Sequence, residues 1–529
     1  FYNLPEPLTY VETNTSYLPQ LVVNPTLPFV IFNGMGYNSQ VIPDILLVVI
    51  GNNYQFYPPA SDTQTNGAGL TITAYHNPVL FFSECVIIGL NYFNRNSIEP
   101  PGTIYYVSST IGVANLRNNI FNWTENVFPP DSFFAGWSDI YVDYEDQVLY
   151  LLGVNYNAFI MMLFSIPFSE LSTLLNNLQF PQNFNEASLM IPNINYSDFI
   201  NRGVNPPTLQ QQLNCTPIMI YYNKTFYMFF TYSASFQEMG FYLWYFTLDE
   251  ITWTTGMPSF TSATIQGNTY NYVPSNTQTV GSLLTILEIN SYSFAMYADF
   301  NYYIDNGSIY PEFLVVIAYY EAPGTPIGTI AIYSINPDTL SITQLDVINN
   351  PNLPATYFGP AYFSGGLIIM PVDYETTPGD ASTDILYYLF IYDRNTGETA
   401  IFPPPQNAIA VGASDGGYIV YAVGVGTPTT IDNTTYYYNV TIIVYQVVSD
   451  SEPIITNGQY STDNTITGTV EDLVNNTPVA GATVALFQLI SQGGYQFTGE
   501  IIATTTTDAN GNFSFQVSQP GYYAIRAFT

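Results

Sequence analysis

The sequence predicts an all-β protein in which a β-propeller of seven blades precedes a small β-sandwich. Two observations support this prediction. Strand-like segments of similar composition recur along most of the chain, and a compact set of short strands begins at about residue 465. Helical periodicity is scarce throughout.

The recurring segments are rich in β-branched and aromatic residues and follow turn-forming residues, as strands do. Their near-continuous apolar character indicates sheets that are covered on both faces. Stacked four-stranded blades explain this pattern, because stacking buries both faces of nearly every sheet. A pair of large β-sandwiches is the alternative. The seven segments are Ile45–Asn53, Cys85–Phe93, Val148–Tyr156, Thr225–Ser233, Phe313–Glu321, Gly366–Tyr374 and Gly417–Val425.

The connections after these segments vary in length, as Ser233–Met239, Glu375–Thr383 and Gly426–Tyr438 illustrate. We expect them to form one rim of the ring, where a partner would bind. Between Ala74 and Cys85 one blade must end and another begin within few residues, so six blades are the alternative to seven.

The predicted domains are an extended arm at 1–28, the propeller at 29–448, a polar linker at 449–464 and the sandwich at 465–529, here called the C-terminal module. The arm is punctuated by proline and lacks helical periodicity. We expect it to wrap the domain, to close a sheet or to reach a neighbouring molecule.

Four segments of the C-terminal module carry a family resemblance: Thr467–Val470 (TGTV), Pro478–Val484 (PVAGATV), Thr507–Phe513 (TDANGNF) and Pro520–Tyr523 (PGYY). In order and spacing they resemble the carboxypeptidase regulatory-like module. The resemblance implies an Ig-like or transthyretin-like sandwich, similar to collagen-adhesin B-type repeats, that serves as a spacer or docking module. Some B-type relatives carry a Lys–Asn cross-link, which does not carry over because this module has no lysine. Asp508–Asn512 lacks the final glutamate of a calcium loop, so we interpret it as a turn.

The charge balance indicates an acidic habitat. Charged residues make up 9% of the chain, against a usual share of about 25%, and 40 acidic residues face six basic ones for a net charge of −34 at pH 7. Such a charge opposes a compact state through self-repulsion. At about pH 2–3 most carboxyl groups are neutral, and few basic residues then remain to repel each other. A halophilic surface is the alternative, but it is usually denser in acidic residues.

The chain begins at Phe1 without a methionine, so we expect that a signal peptide has been removed. No apolar run approaches the roughly 18 residues of a membrane span. We therefore expect an extracellular or cell-surface protein without a direct membrane span. Cys85 and Cys215 are candidates for one disulfide, and two unpaired thiols are equally acceptable.

No catalytic, cofactor or metal site is predicted. His76 lacks a nucleophile motif and is interpreted as a turn or rim histidine. The densest acidic stretches contain Asp139, Asp143, Glu145 and Asp146, and further along Asp373, Glu375, Asp380 and Asp384. Carboxyl pairs can act as acid and base at low pH, but solvated loops explain these stretches as well. Six scattered basic residues exclude an electrostatic nucleic-acid footprint.

Asn-x-Ser/Thr sequons are glycosylation candidates in a secreted chain, and Asn195, Asn306 and Asn433 in predicted loops are the strongest. The ten sequon asparagines are Asn14, Asn122, Asn195, Asn214, Asn223, Asn306, Asn433, Asn439, Asn475 and Asn512.

The sequence favours a non-enzymatic structural or binding protein of an acidophile, in a surface layer, filament or virion. The composition resembles that of surface and viral structural proteins of thermoacidophilic archaea of the Sulfolobales type. The expected partners are other surface-protein subunits or further copies of the chain, and glycans. Strand addition at an exposed edge of the C-terminal module is one expected mode of assembly. The alternative is a secreted hydrolase for a glycan or a sulfur compound, with carboxylates at the propeller axis.

Overall fold

The architecture is taken from a computed structural model of the chain. Before residue 141 it describes the backbone of the strands named below. From there on it describes residues 141–143, 145–155, 160–171, 173, 181–193, 218–232, 239–265, 268–289, 294–320, 328–349, 361–364, 366–375, 384–413, 418–427, 429–431, 434–437, 439–446, 453–472, 475–493, 496–518 and 523–529, with side chains for most of them. None of the helices in this described part is long and apolar enough to cross a membrane.

Seven antiparallel meanders, here called blades 1 to 7, follow one another along the chain. Blade 1 contains β3 (Gln20–Asn24), β4 (Phe29–Met35), β5 (Asp44–Ile50) and β6 (Asn53–Tyr57). Blade 2 contains β7 (Gly69–Ile72), β8 (Val79–Phe82), β9 (Cys85–Asn94), β10 (Tyr105–Asn115) and β11 (Ile120–Trp123). Blade 3 contains β12 (Phe134–Asp143), β13 (Val148–Asn155), β14 (Met161–Pro167) and β15 (Asn185–Met190). Blade 4 contains β16 (Ile218–Tyr222), β17 (Thr225–Tyr232), β18 (Met239–Thr247) and β23 (Ser282–Ile289).

The remaining blades follow the same order of strands. Blade 5 contains β24 (Phe294–Asp305), β25 (Ser308–Tyr320), β26 (Gly328–Ile335) and β27 (Ile342–Asn349). Blade 6 contains β28 (Tyr362–Ser364), β29 (Leu367–Glu375), β30 (Asp384–Asp393) and β31 (Thr399–Phe402). Blade 7 contains β32 (Ala408–Ala413), β33 (Tyr418–Val425), β36 (Asn439–Gln446) and, from the amino terminus, β1 (Tyr2–Asn3).

Connections carry the other short elements. They are two 3-10 turns (Phe168–Glu170 and Leu248–Glu250), the strands β19 (Thr254–Thr255), β20 (Phe260–Ile265), β21 (Asn268–Pro274) and β22 (Gln278–Thr279) between β18 and β23, and β34 (Thr429–Ile431) and β35 (Thr434–Tyr437), which form a small sheet with β2 (Tyr10–Glu12).

The number of blades follows from blade 2. Its first strand is split, since β7 and β8 both pair with β9 at different positions. β7 and β8 therefore belong to one blade, and the part of the chain that the structure describes contains seven meanders. This confirms the all-β propeller with seven blades.

Neighbouring blades pack face to face and close a ring. Buried apolar clusters join blade 3 to 4, 4 to 5, 5 to 6, and 6 to 7. Strand contacts join blade 1 to 2 and blade 2 to 3, and β3 of blade 1 contacts β32 of blade 7. The predicted two-sided apolar strands are thus the second strands of blades 2 to 7.

Blade 1 departs from the predicted alignment in one respect. Its second strand is β4, and the predicted segment Ile45–Asn53 overlaps the third strand β5. The reason is that β3, which lies in the predicted arm 1–28, already supplies the first strand.

Two further strands of the predicted arm also pair within the chain. Tyr2 and Asn3 pair with Ile442 and Thr441, which makes β1 the fourth strand of blade 7. β2 pairs with β35. Of the three expected roles for this segment, sheet closure is the one that the described strands perform.

The C-terminal module is a sandwich of two sheets. One contains β37 (Ile454–Tyr460), β38 (Thr465–Asp472), β39 (Thr477–Pro478) and β42 (Asn512–Gln516), and the other β40 (Thr483–Gly493), β41 (Gln496–Thr506) and β43 (Tyr523–Phe528). β37 lies inside the predicted linker 449–464 and pairs with β38, so the first sheet begins before residue 465.

The module packs directly against the propeller. Its strand β40 pairs with β12 of blade 3, and the hairpin β40–β41 also contacts β16 and β24, the first strands of blades 4 and 5. Because first strands surround a propeller's axis, the hairpin lies at one end of that axis. Phe487 is 4% exposed, and its ring lies 4.9 Å from that of Tyr302 in blade 5.

Phe487→Ala should lower the free energy of unfolding by about 3 kcal/mol, since truncating a buried ring removes apolar burial and leaves a cavity. Urea denaturation followed by fluorescence measures the change. The matched control is Phe402→Ala, because Phe402 is 50% exposed on β31. We expect a change of about 0.5 kcal/mol or less there. Equal losses in the two variants would contradict this docking of the module.

Candidate functional site

The first predicted acidic stretch lies at the turn between β12 and β13. Asp143 is 1% exposed, whereas Glu145 and Asp146 are exposed. Lys224, in the β16–β17 turn of blade 4, lies 2.9 Å from Asp146 Oδ2 and 3.5 Å from Glu145 Oε2. These exposed ion pairs contribute little to stability. Asp139 lies on β12 without a described side chain, and the three other members of the stretch divide into one buried carboxyl group and two exposed ones.

Asp143 is held by neighbours on two blades. The Tyr221 hydroxyl of blade 4 donates to Asp143 Oδ2 at 2.8 Å, and the Asp146 backbone N–H donates to Oδ1 at 2.9 Å. Burial raises the pKa of Asp143, and these hydrogen bonds oppose the rise. Burial also raises the pKa of Tyr221 far above its ordinary value, so this hydroxyl stays protonated and donates. The pair therefore joins blades 3 and 4.

A second buried carboxyl group, Glu186, lies on β15, the fourth strand of blade 3. The connection between β18 and β23 of blade 4 covers it, because β19 and β22 both pair with the open edge of β15. Ser188 Oγ and Asn276 Nδ2 donate to its two oxygens. Glu186 is 0% exposed, and burial raises its pKa from 4.5 to about 7 against the effect of these hydrogen bonds. The geometry thus favours a neutral carboxyl group at this contact between blades.

Another buried carboxyl group, Glu312 on β25, is the centre of a polar network that reaches the C-terminal module. Arg394 Nε, in the β30–β31 turn of blade 6, lies 3.2 and 3.3 Å from its two oxygens. Asn301 Nδ2 donates to Glu312 Oε1 at 2.8 Å, and Ser334 Oγ donates to Oε2. Arg526 Nη1, on β43 of the module, donates to Asn301 Oδ1 at 3.1 Å. We call these five residues the junction network.

Two aromatic rings complete the surroundings of the junction network. The Arg394 guanidinium carbon lies 4.4 Å from the centre of the Tyr303 ring, and that of Arg526 lies 4.7 Å from the centre of the Phe528 ring. With Lys224, these arginines are the basic residues whose side chains the structure describes. Lys224 joins blade 4 to blade 3, Arg394 joins blade 6 to blade 5, and Arg526 joins the module to blade 5.

Chemically, these carboxyl groups are engaged inside the protein. Glu312 forms an ion pair with the Arg394 guanidinium. Asp143 and Glu186 accept hydrogen bonds, and burial favours their protonated, neutral forms. Groups of three or more histidine, cysteine, aspartate or glutamate residues that could hold a metal ion are absent from the described part.

Sequence reasoning did not select Glu186, Glu312 or the two arginines. Glu312 stands directly before the apolar run Phe313–Ala318, and Arg394 stands in a tight turn. In the sequence, only the position of a single charged residue beside an apolar strand could have indicated that Glu312 is buried and paired. The partners Arg394 and Glu312 are 82 positions apart, and only the ring brings them together.

The second acidic stretch is described less completely. Asp373 and Glu375 lie on β29 and Asp384 on β30, all without described side chains. Asp380, His76 and Cys215 lie outside the described residues, and so does the candidate pairing of Cys215 with Cys85 on β9. The 508–512 segment is confirmed as a turn, in which Asp508 Oδ1 accepts from the backbone N–H groups of Asn510 and Asn512 at 2.8 Å each.

Four sequon asparagines have described, exposed side chains: Asn223, Asn306, Asn475 and Asn512. Asn122 and Asn439 lie on β11 and β36 without described side chains, and Asn14, Asn195, Asn214 and Asn433 lie outside the described residues. Asn475 Nδ2 donates to Asp472 at 2.9 Å.

Comparison with known proteins identifies the C-terminal module. Residues 465–528 match the family model of the carboxypeptidase regulatory-like domain. The resemblance predicted for this segment is therefore confirmed, and the domain's two-sheet structure agrees with it. No curated protein matches the chain.

Several solved structures resemble the chain weakly. A structure from work on two prolyl endopeptidases has a TM-score of 0.37 at 8% identity, with 88% of this chain and 55% of that chain covered. An acylaminoacyl peptidase of Pyrococcus horikoshii has a TM-score of 0.36 at 9% identity, with 89% and 60% covered. The β-propeller domain of the Trilobed protease of Pyrococcus furiosus has a TM-score of 0.33 at 9% identity, with 78% and 91% covered. At these scores the likenesses carry no argument about function.

The junction network predicts that replacing Arg394 lowers the stability of the protein. Arg394→Met should lower the free energy of unfolding at pH 7 by about 3 kcal/mol, because it leaves the buried Glu312 without its partner. Adding Glu312→Gln should restore most of this loss, since the buried group then has no charge. Denaturant titration measures both.

Lys224→Met is the matched control for Arg394→Met, because Lys224 pairs with exposed carboxylates and its side chain is 44% exposed. We expect its effect to be about 1 kcal/mol or less. If the double variant is no more stable than Arg394→Met, the buried charge is not the cause of the loss.

Glu186 predicts a pH dependence of stability. Between pH 4.5 and about 7 the unfolded chain loses this proton while the folded chain keeps it. Rising pH therefore favours the unfolded state, and stability from this group is greatest below pH 4.5. Glu186→Gln, which stays neutral, should gain about 3 kcal/mol relative to the wild type between pH 4 and pH 8.

Thermal and urea unfolding at several pH values measure this difference. Glu398→Gln is the matched control, because Glu398 is exposed at the β30–β31 turn. Its stability curve should run parallel to that of the wild type. A parallel curve for Glu186→Gln would show that Glu186 does not titrate differently in the folded state.

Proposed function

We propose that this chain is an extracellular structural and binding protein of an acidophile, with a place in a cell-surface layer, a filament or a virion. The propeller supplies a rigid binding face, and the carboxypeptidase regulatory-like domain supplies attachment. The composition favours a thermoacidophilic archaeon of the Sulfolobales type or one of its viruses.

The observation that carries this proposal is the use of the charged side chains. The buried carboxyl groups Asp143 and Glu186 bond across the boundary between blades 3 and 4, and Glu312 bonds across the boundary between blades 5 and 6, so they serve cohesion between blades. Burial of Asp143 and Glu186 favours their neutral forms, which suits a protein that works in acid.

The position of the C-terminal domain supports the assignment of the binding face. In an antiparallel blade, the turn between strands 1 and 2 and the turn between strands 3 and 4 emerge at the same end. Arg394 and the β24–β25 hairpin lie at that end, and the domain is held there. The variable connections between strands 2 and 3 emerge at the opposite end. We assign partner binding to that opposite end.

Imaging of native material at the pH of its habitat tests the proposal. Antibody-labelled electron microscopy of the source organism should place this chain in a lattice, filament or particle. The purified chain should associate at pH 3 and separate at pH 7, where a net charge of −34 makes its copies repel each other. A chain that stays monomeric at both pH values and is found free in the medium would overturn the proposal.

A further inference from the structure

The hairpin formed by β24 and β25 projects beyond the rest of blade 5. These two strands pair from Phe294–Tyr319 to Asp305–Ser308, whereas β25 pairs with β26 only from Phe313 onwards. Residues 301–312 therefore extend past the four-stranded part of the blade. Asn301 and Tyr302, at the base of this extension, both contact the C-terminal domain.

Two tyrosines lie opposite each other on this extension. Tyr303 and Tyr310 are cross-strand partners, with ring centres 5.7 Å apart and ring planes 32° apart. The Tyr310 side chain is 42% exposed. Arg394, fixed by Glu312, lies over the Tyr303 ring and holds it in place. The pair thus combines the exposed Tyr310 ring with a partly buried Tyr303 ring that Arg394 fixes.

The turn of the same hairpin is a glycosylation sequon. Asn306 and Gly307 have φ values of 49° and 78°, which fit the two central positions of a type I′ turn. Asn306 is exposed, and the space around Gly307 is open. Side chains alternate along a strand, so Asp305 and Ser308 share a face with the two tyrosines. The tyrosine pair lies about 10 Å from the turn along that face.

We propose that Asn306 carries an N-linked glycan whose first sugars pack on the rings of Tyr310 and Tyr303. The inference rests on the extracellular location in the proposed function, since such glycans are added to exported chains. The ring C–H groups of a sugar present an apolar face that covers an aromatic ring, and this contact removes apolar surface from water. Because Tyr303 is already fixed, the contact costs little side-chain entropy.

The covalent step needs a lipid-phosphate-linked oligosaccharide as donor. Asn306 Nδ2 forms a bond to the anomeric carbon of the first sugar, and the bond from that carbon to the phosphate oxygen breaks. The bonding electron pair leaves with the lipid phosphate, and one amide proton passes to a base of the transferase. The product keeps one N–H on the asparagine side chain.

A second sequon supplies an internal comparison. Asn223 and Lys224 form a similar turn between β16 and β17, with φ values of 48° and 58°. Ile220 and Tyr227 occupy the positions that correspond to the tyrosine pair, and they are only 3% and 6% exposed. A glycan at Asn223 therefore has no exposed aromatic pair at that position to cover.

Two measurements on the full chain, secreted from a host with N-glycosylation machinery, test the inference. Peptide mass spectrometry of this material and of native protein should find a glycan on Asn306. Thermal unfolding should then show coupling between the glycan and Tyr310. Tyr310→Thr should lower Tm by about 2 °C more in the glycosylated protein than in the Asn306→Gln background. Tyr310→Thr should have the same effect with and without Asn223→Gln.

Each outcome decides the inference. An unmodified Asn306 in a protein whose other sequons are occupied overturns it, and so does an equal effect of Tyr310→Thr with and without the Asn306 glycan. Neither result bears on whether the chain assembles into a layer, filament or particle. Conversely, a chain that shows the expected coupling but stays monomeric at both pH values and is free in the medium would overturn the proposed function alone.

Discussion

Face-to-face burial of apolar sheets is the constraint on which this structure depends. Each blade has two apolar faces, as shown by β26 in blade 5, where all eight residues are buried. A single sheet of this kind has no stable state in water, so each blade needs a neighbour on both sides. A closed ring is the arrangement in which no blade lacks one. The contact between β3 and β32 and the pairing of β1 with β36 complete that ring.

Polar contacts then fix the relative positions of blades and domain, which apolar packing alone leaves adjustable. Apolar contacts are non-directional, whereas the junction network has set distances and partners on blades 5 and 6 and on the C-terminal domain. Its bond from Arg526 to Asn301 fixes the domain at one end of the propeller. In the same network, Glu312 holds Arg394 over the Tyr303 ring, so the position of that ring depends on a buried carboxylate.

Because the chain has few charged residues, each buried charged side chain has a larger share in holding the structure together. A typical domain has many surface ion pairs of little energetic value, whereas the described arginines here are partly buried at boundaries between structural units. Asp143 and Glu186 are placed where ionisation is unfavourable, which costs nothing when the medium keeps them protonated. The proposed acidic habitat is consistent with the acidic sequence for this reason.

Local sequence determined the strands, the repeated blades and the C-terminal domain, because strand propensity, two-sided apolarity and turn residues are properties of short segments. Tertiary structure decided the rest. The strand order of blade 1 and the closure of blade 7 depend on pairings such as Tyr2 with Ile442, which no local pattern encodes. The candidate sites followed the same division. A sequon such as that of Asn306 can be recognised from three consecutive residues. The ion pair of Glu312 with Arg394 forms only because the ring brings distant turns together, and so does the contact of Arg394 with the Tyr303 ring.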